Sequence, residues 1–190
     1  MKNSFTLIEL IVVIAIIAVL AAIIAPNAFR AIEKAKISSL ESDVKTFKSV
    51  LYAYYVDTGA WPKGIATDPA CMGCFIYGSE PSAPYLMENT ENVFGWDGPY
   101  IEKMKLSPWG TWYTFANEQT AGGNSHGCNP PGIYITLHIN DDPNSRMLPR
   151  ESMLKIDRDI DDGNLTTGKV VESNLEVGQL VISVAEIGKW

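Results

Sequence analysis

The sequence predicts an α+β fold in which a long N-terminal helix packs on a small antiparallel β-sheet head. Three observations favour it: an apolar run near the N-terminus, an amphipathic stripe directly after it, and short alternating segments in the C-terminal half. We expect the helix over residues 5–56, with its apolar part at 5–26, and the globular head over 57–190.

The average composition hides two unlike parts. Over 190 residues the formal net charge is −7, 46% of the residues are hydrophobic and the mean hydropathy is +0.02. Residues 5–26 carry one charge, Glu9, whereas residues 58–190 carry 9 basic and 17 acidic side chains. This division argues against a soluble two-domain enzyme. The acidic head also argues against nucleic-acid binding, which requires a basic surface.

The apolar run at 7–25 predicts insertion into a membrane. It has 18 apolar residues in 19 positions, and as a helix it would be about 28 Å long, close to the roughly 30 Å hydrocarbon core of a bilayer. The core of a secretory signal is shorter and follows basic residues, whereas only Lys2 precedes this run. A helix buried in a small protein is rarely apolar on every face over such a length.

Glu9 is the exception within this run. An ionised carboxylate inside a membrane helix costs on the order of 3 kcal/mol, so such residues usually have a partner or a function. The alternative is that Glu9 lies at the membrane interface, near the helix start, where its carboxylate reaches water.

The first ten residues, MKNS followed by FTLIEL, resemble the processing site of type IV pilins and of the pseudopilins of type II secretion. The resemblance implies that residues 1–4 are a leader peptide, which a membrane-embedded prepilin peptidase removes by cutting between Ser4 and Phe5. It also implies N-methylation of Phe5. Ser4 stands where the family nearly always has glycine, and Pro26 matches a proline that the family commonly carries at this distance from the cut.

The resemblance further implies a structural function. The precursor is stored in the inner membrane with its head outside the cytoplasm, and it then polymerises with copies of itself through the apolar helix. An assembly ATPase and an inner-membrane platform protein are the implied partners. Inside the filament we expect Glu9 to pair with the terminal ammonium of a neighbouring subunit, because an unpaired charge in an apolar bundle is costly.

Two kinds of filament remain open at this point. The segments GPYI at 98–101 and SPWG at 107–110 resemble the major pseudopilins, although Ser107 replaces the usual Asp. The longer head and the set of Cys and His residues favour a pilin, so we expect an extracellular filament, with a periplasmic pseudopilus as the alternative. An alternative of another class is a solitary membrane-anchored protein with a metal- or ligand-binding head, which needs neither cleavage nor Glu9.

Beyond Pro26 the pattern becomes amphipathic. One helical stripe, at spacings of three and four, predicts a helix that covers the head and consists of Ile37, Leu40, Val44, Phe47, Leu51 and Tyr54. Pro26 lacks an N–H and its ring would clash with the carbonyl of Ala22, which predicts a kink or local melting. Gly59 and Pro62 end the helix. Residues 63–98 show no clear periodicity and are expected to form a long loop region, and strands are predicted at Thr111–Ala116, Ile133–Ile139 and Gln179–Ala185.

The cysteines leave three arrangements open. Cys71, Cys74 and Cys128 occur with His126 two positions before the last of them. Outside the cytoplasm disulfides persist, so we expect one disulfide from the Cys71/Cys74 pair to Cys128. The alternatives are a local Cys71–Cys74 disulfide and a zinc site with all four side chains as ligands.

Four carboxylates crowd the segment at 157–162, namely Asp157, Asp159, Asp161 and Asp162. The spacing departs from an EF-hand, since the glycine comes one position late and no Glu closes a twelve-residue loop. We expect a solvated helix end that runs into a turn, because Asp and Gly are common in turns. The alternative is a calcium site with these four residues as ligands, which would relieve their mutual repulsion.

Catalytic motifs are not apparent in the sequence. There are two histidines, His126 and His138, and there is no G-x-S-x-G, glycine-rich phosphate loop or H-E-x-x-H segment. We therefore expect no enzymatic activity, and no cofactor other than the calcium or zinc of the alternatives above.

Overall fold

A computed structural model of the chain describes residues 6–62, 84–90, 92–118, 132–138, 148–172 and 180–186. In chain order its elements are α1 (Leu7–Thr58), α2 (Pro84–Met87), β1 (Trp112–Glu118), β2 (Gly132–His138), α3 (Arg150–Ile160), β3 (Val170–Glu172) and β4 (Leu180–Glu186). The chain divides into two compact units, Met1–Lys36 and Ile37–Trp190. A long N-terminal helix with a small antiparallel sheet confirms the predicted α+β class.

The first unit contains the apolar part of α1. This helix is long and apolar enough to cross a membrane, and none of its most apolar stretch is buried within the protein. The predicted melting at Pro26 is wrong, since α1 is helical on both sides of that residue and through it. A proline removes a single backbone hydrogen bond, and the bonds of the adjoining turns maintain the helix. Directly after the proline, the Asn27 side chain donates a 3.4 Å hydrogen bond to the carbonyl of Ile23, one turn earlier.

The second unit has its apolar core between the C-terminal part of α1 and the sheet. The predicted stripe is confirmed, because Ile37, Leu40, Val44, Phe47, Leu51 and Tyr54 are all buried. The ring of Phe47 meets that of Tyr113 at a centroid distance of 4.9 Å and that of Phe115 at 5.3 Å, both edge-on. Such contacts between helix and sheet stabilise the unit by removing aromatic surface from water.

Among the described residues the sheet has four strands in the order β1-β2-β4-β3, and their pairings are antiparallel. The three predicted strands correspond to β1, β2 and β4, each within two residues of the expected bounds. Strand β3 was not predicted, since its three residues are too few to show an alternation. Within the region expected to be a loop, the described residues contain the short helix α2.

Helix α3 connects β2 to β3 along the chain and buries one face. Ser152, Met153, Ile156 and Asp157 form that face, in positions three and four residues apart. The sequence predicts only the end of a helix in this segment, whereas the structure shows three turns.

Candidate functional site

Two regions contain the predicted site residues that the structure describes, one in each unit. In the first unit, helix α1 begins at a reciprocal cap formed by Thr6 and Glu9. The Thr6 N–H donates to Glu9 Oε2 at 2.8 Å and the Thr6 hydroxyl donates to the same oxygen at 2.6 Å. The Glu9 N–H donates to Thr6 Oγ1 at 3.3 Å. This is a capping box, in which two otherwise unbonded N–H groups of the helix start obtain acceptors.

The cap gives Glu9 a role within the subunit that the sequence analysis missed. Threonine followed three residues later by glutamate is the sequence signature of such a cap, and it is visible at 6–9. Because both side-chain bonds use Oε2, the carboxylate retains a second oxygen for another donor.

Beyond Glu9 the helix presents apolar side chains on every side. The large apolar residues from Leu7 to Ile24 have exposed fractions between 45% and 76%. A surface of this kind is far larger than the patches that soluble monomers leave in contact with water. It therefore requires lipid or another protein around it.

In the second unit, α3 and the loop after it bring together three of the four predicted aspartates. Carboxylate oxygens of Asp157, Asp161 and Asp162 lie within 4.8 Å of one another. Asp159 is half a turn away from Asp157, and its carboxylate forms an ion pair with Lys155. Asp159 also interacts with Glu41 of α1. The structure thus separates the four acidic residues into a cluster of three and one residue with other partners.

Backbone and side-chain donors hold two members of the cluster. Asp161 accepts a hydrogen bond from the N–H of Lys169 at the start of β3. Asp162 accepts one from the N–H of Asn164 through Oδ1 and one from the Thr167 hydroxyl through Oδ2, each at 2.8 Å. The loop from α3 to β3 is therefore folded around these two carboxylates.

Asp157 differs from its two neighbours. Its exposed fraction is 0%, and the backbone N–H groups of Gly163 and Asp162 act on its carboxylate. Burial raises the pKa of Asp157; the N–H of Gly163 opposes this effect, and the charges of Asp162 and Asp161 add to it. The cluster thus contains a buried carboxyl group next to two more carboxylates.

Comparison with known proteins identifies the family. Residues 1–25 match the family described as the prokaryotic N-terminal methylation motif. Residues 31–126, slightly more than half of the chain, match the family described as PilW, C-terminal. The chain belongs to the type IV pilin and pseudopilin superfamily. This family consists of structural subunits rather than enzymes, and its N-terminal motif agrees with a membrane-stored precursor.

Two known proteins are similar to this chain. The type II secretion system core protein G of Pseudomonas aeruginosa is 28% identical over 121 residues, which are 64% of this chain and 78% of that protein. A solved structure of the major type IV pilin PilA1 from Clostridium difficile is 19% identical, with a TM-score of 0.48, and the match covers 82% of this chain and 98% of that chain.

Several predicted site residues of this pilin-superfamily chain lie outside the described residues. These are Ser4 and Phe5 of the cleavage site, and Cys71, Cys74, His126 and Cys128 of the alternatives with a disulfide or zinc. Glu9 and Pro26 lie in α1. The cleavage, disulfide and zinc hypotheses stay predictions.

Proposed function

We propose that this chain is a structural subunit that prepilin peptidase cleaves between Ser4 and Phe5 and that then polymerises through α1 into a helical extracellular filament. The precursor resides in the inner membrane with its head outside the cytoplasm. An assembly ATPase and an inner-membrane platform protein drive polymerisation. The exposed apolar surface of α1 between Leu7 and Ile24 supports this function most strongly.

That surface fits both states of the subunit. In the membrane, lipid covers the apolar residues over a length that suits the hydrocarbon core. In the filament, the same residues pack against the helices of neighbouring subunits. A subunit can leave the bilayer at little cost in free energy because one apolar environment replaces another.

Glu9 supplies the specific contact of this assembly. Cleavage after Ser4 creates an ammonium group on Phe5, and Oε2 of Glu9 is already bonded within its own cap. We assign Oε1 to the terminal ammonium of the neighbouring subunit. One carboxylate then caps its own helix and neutralises the ammonium charge of the neighbour. This pairing fixes the register between neighbouring helices, because a shifted helix would leave both charges unpaired in an apolar bundle.

A periplasmic pseudopilus of type II secretion is the second candidate. The observation in its favour is the 28% identity over 121 residues to the type II secretion system core protein G. Both candidates share the leader cleavage and the polymerisation through α1. They differ in whether the filament extends outside the cell or stays in the periplasm.

Mass spectrometry of the mature N-terminus tests the proposal. Processing as proposed gives a chain that starts at Phe5, and a chain that retains Met1 contradicts cleavage and supports a solitary membrane anchor. Antibody to the head then distinguishes the two filaments in intact cells. Labelled surface fibres support the pilus, whereas labelling that requires permeabilisation of the outer membrane supports the pseudopilus.

A further inference from the structure

We propose that Asn164, in the loop between α3 and β3, is a site of N-linked glycosylation that receives a sugar from a lipid-linked donor. Asn164, Leu165 and Thr166 form an N-x-S/T segment, the acceptor motif for this modification, with a middle residue other than proline. It is the one segment of this form in the sequence. Because so short a motif also arises by chance, the proposal depends on the structure of the loop.

The acceptor side chain lies on the surface of the second unit. Asn164 and Thr166 are exposed, whereas Leu165 between them is buried, with an exposed fraction of 3%. The backbone carbonyl of Leu165 accepts a 2.8 Å hydrogen bond from the N–H of Glu172 in β3. The buried leucine therefore anchors the turn, while the two residues that the modification requires stay in contact with water.

The turn brings the two polar side chains of the motif together. Oδ1 of Asn164 accepts a hydrogen bond from the Thr166 hydroxyl at 2.8 Å and another from the Thr166 N–H at 3.2 Å. This arrangement is an Asx-turn. The two donors draw electron density toward Oδ1 and make the protons on Nδ2 more acidic. The hydroxyl that the motif requires is thus already bonded to the amide that reacts.

The reacting atom is Nδ2 of Asn164. Among the described residues it has no hydrogen-bond partner, because the bonds of this side chain use Oδ1. In the transfer, Nδ2 attacks the anomeric carbon of a sugar that is bound to a lipid pyrophosphate. A C–N bond forms, the C–O bond to the pyrophosphate breaks, and its electron pair leaves with the lipid pyrophosphate. A membrane-bound transferase takes up the proton that Nδ2 loses.

The folded loop accommodates the product. A sugar on Nδ2 leaves Oδ1 in place, so both bonds of the Asx-turn persist after the modification. The neighbouring loop residues Asp162, Thr167, Gly168 and Lys169 are exposed. The glycan therefore extends into water and displaces no packed side chain. It adds a bulky, hydrophilic group to the surface of the head.

Peptide mass spectrometry of the full chain, isolated from the cells that naturally produce it, tests the proposal. Trypsin cuts after Arg158 and Lys169, so residues 159–169 form one peptide that contains the whole motif. We expect this peptide to be heavier by the mass of a glycan, with fragment ions that place the added mass on Asn164. An unmodified peptide would overturn the proposal, and so would a sugar on a threonine hydroxyl of the same peptide.

The inference rests on the proposed function in one respect, because the transfer requires a head outside the cytoplasm. The N-terminal peptide of the same sample tests leader cleavage separately. An unmodified peptide 159–169 in a chain that starts at Phe5 would refute glycosylation alone. A glycosylated peptide in a chain that retains Met1 would support glycosylation and contradict the proposed cleavage.

Four variants distinguish the motif from its surroundings. Asn164→Gln and Thr166→Val should lose the glycan completely, whereas Thr166→Ser retains a hydroxyl and should keep it. Thr167→Val removes the neighbouring hydroxyl, which lies outside the motif, and should be glycosylated like the wild type. The two variants of Thr166 serve if Asn164→Gln does not accumulate. A glycan that persists in Thr166→Val, or that is lost in Thr166→Ser, would refute the assignment to this motif.

Discussion

The Tyr113 hydroxyl on β1 donates a 2.8 Å hydrogen bond to Asp43 Oδ2 on α1, across the interface between helix and sheet. Both residues are buried, and Lys105 forms an ion pair with the other oxygen of Asp43. Burial raises the pKa of Tyr113, and the hydrogen bond and negative charge of Asp43 add to the effect. The hydroxyl therefore stays protonated at neutral pH and remains a donor, and the buried carboxylate has partners for both oxygens.

Tyr113→Phe should lower the free energy of unfolding by about 1.5–3 kcal/mol, the range for a hydrogen bond to a charged group. The aromatic contact with Phe47 would remain in this variant, so the change reports on the hydroxyl. Urea unfolding of the full chain in detergent measures it. Tyr55→Phe is the control, since Tyr55 lies partly exposed on the same α1. Equal effects of the two substitutions would show that the Asp43 bond contributes nothing specific.

Glu41 and Asp159 predict a dependence of stability on pH. Burial raises the pKa of Glu41, and hydrogen bonding to Asp159 and the charge of Asp159 add to it. A carboxyl group with a raised pKa stabilises the fold while it is protonated, and this contribution disappears as the pH rises through its folded-state pKa. At neutral pH the charged form of Glu41 is thus unfavourable in the folded protein.

Glu41→Gln should therefore be more stable than the wild type at neutral pH. The difference should decrease as the pH falls from neutral, because the wild-type carboxyl group becomes protonated on acidification. Tm measurements across this range test it, with the exposed Glu151→Gln as a control for the loss of a negative charge. A stability difference that grows on acidification would contradict the assigned direction.

The helix–sheet core was predictable from the sequence because its signals are periodic. The stripe from Ile37 to Tyr54 has a helical period over five turns, and the strands that became β1, β2 and β4 alternate or are rich in β-branched residues. Strand β3 has three residues, which is too short for an alternation to differ from chance.

The acidic cluster shows what the sequence could not specify. Four aspartates within six positions look equivalent, and the composition favours a turn. The phase of α3 places Asp157 and Asp159 on different faces, whereas Asp161 and Asp162 lie beyond the helix end, in the loop that leads to β3. That phase depends on the burial of Met153 and Ile156 in the core of the second unit, which is a tertiary effect.

Two glycines with positive φ allow backbone strain alone to be compared with backbone strain plus a steric overlap of the added Cβ. Gly59 and Gly168 have φ values of +71° and +81°, and a Cβ at Gly59 would meet nothing within 4 Å, whereas one at Gly168 would overlap with Asp161 Oδ2. Gly59→Ala should cost about 1–2 kcal/mol for the left-handed backbone alone. Gly168→Ala should cost clearly more, because the Asp161 carboxylate must also move. Denaturant unfolding of the two variants measures the difference in the free energy of unfolding. Equal losses would show that the Asp161 carboxylate moves away from residue 168 without measurable cost.

The cap at the start of α1 allows the two roles of Glu9 to be separated. Thr6→Val removes the hydroxyl that bonds to Glu9 Oε2, but it leaves the carboxylate free to meet a neighbouring ammonium. Such a cap contributes about 1 kcal/mol to helix stability. We therefore expect Thr6→Val to form filaments in reduced but measurable amount.

Glu9→Gln keeps an acceptor for the Thr6 N–H and removes the charge. Loss of a charge-assisted hydrogen bond worth about 1.5–3 kcal/mol should lower incorporation into filaments about ten- to a hundredfold. Immunoblots of sheared filaments, normalised to the precursor in the membrane, measure both variants, and Glu41→Gln in the head controls for the substitution itself. If Glu9→Gln assembled as well as the wild type while Thr6→Val did not, the role of Glu9 would be that of a helix cap and the proposed pairing between subunits would be wrong.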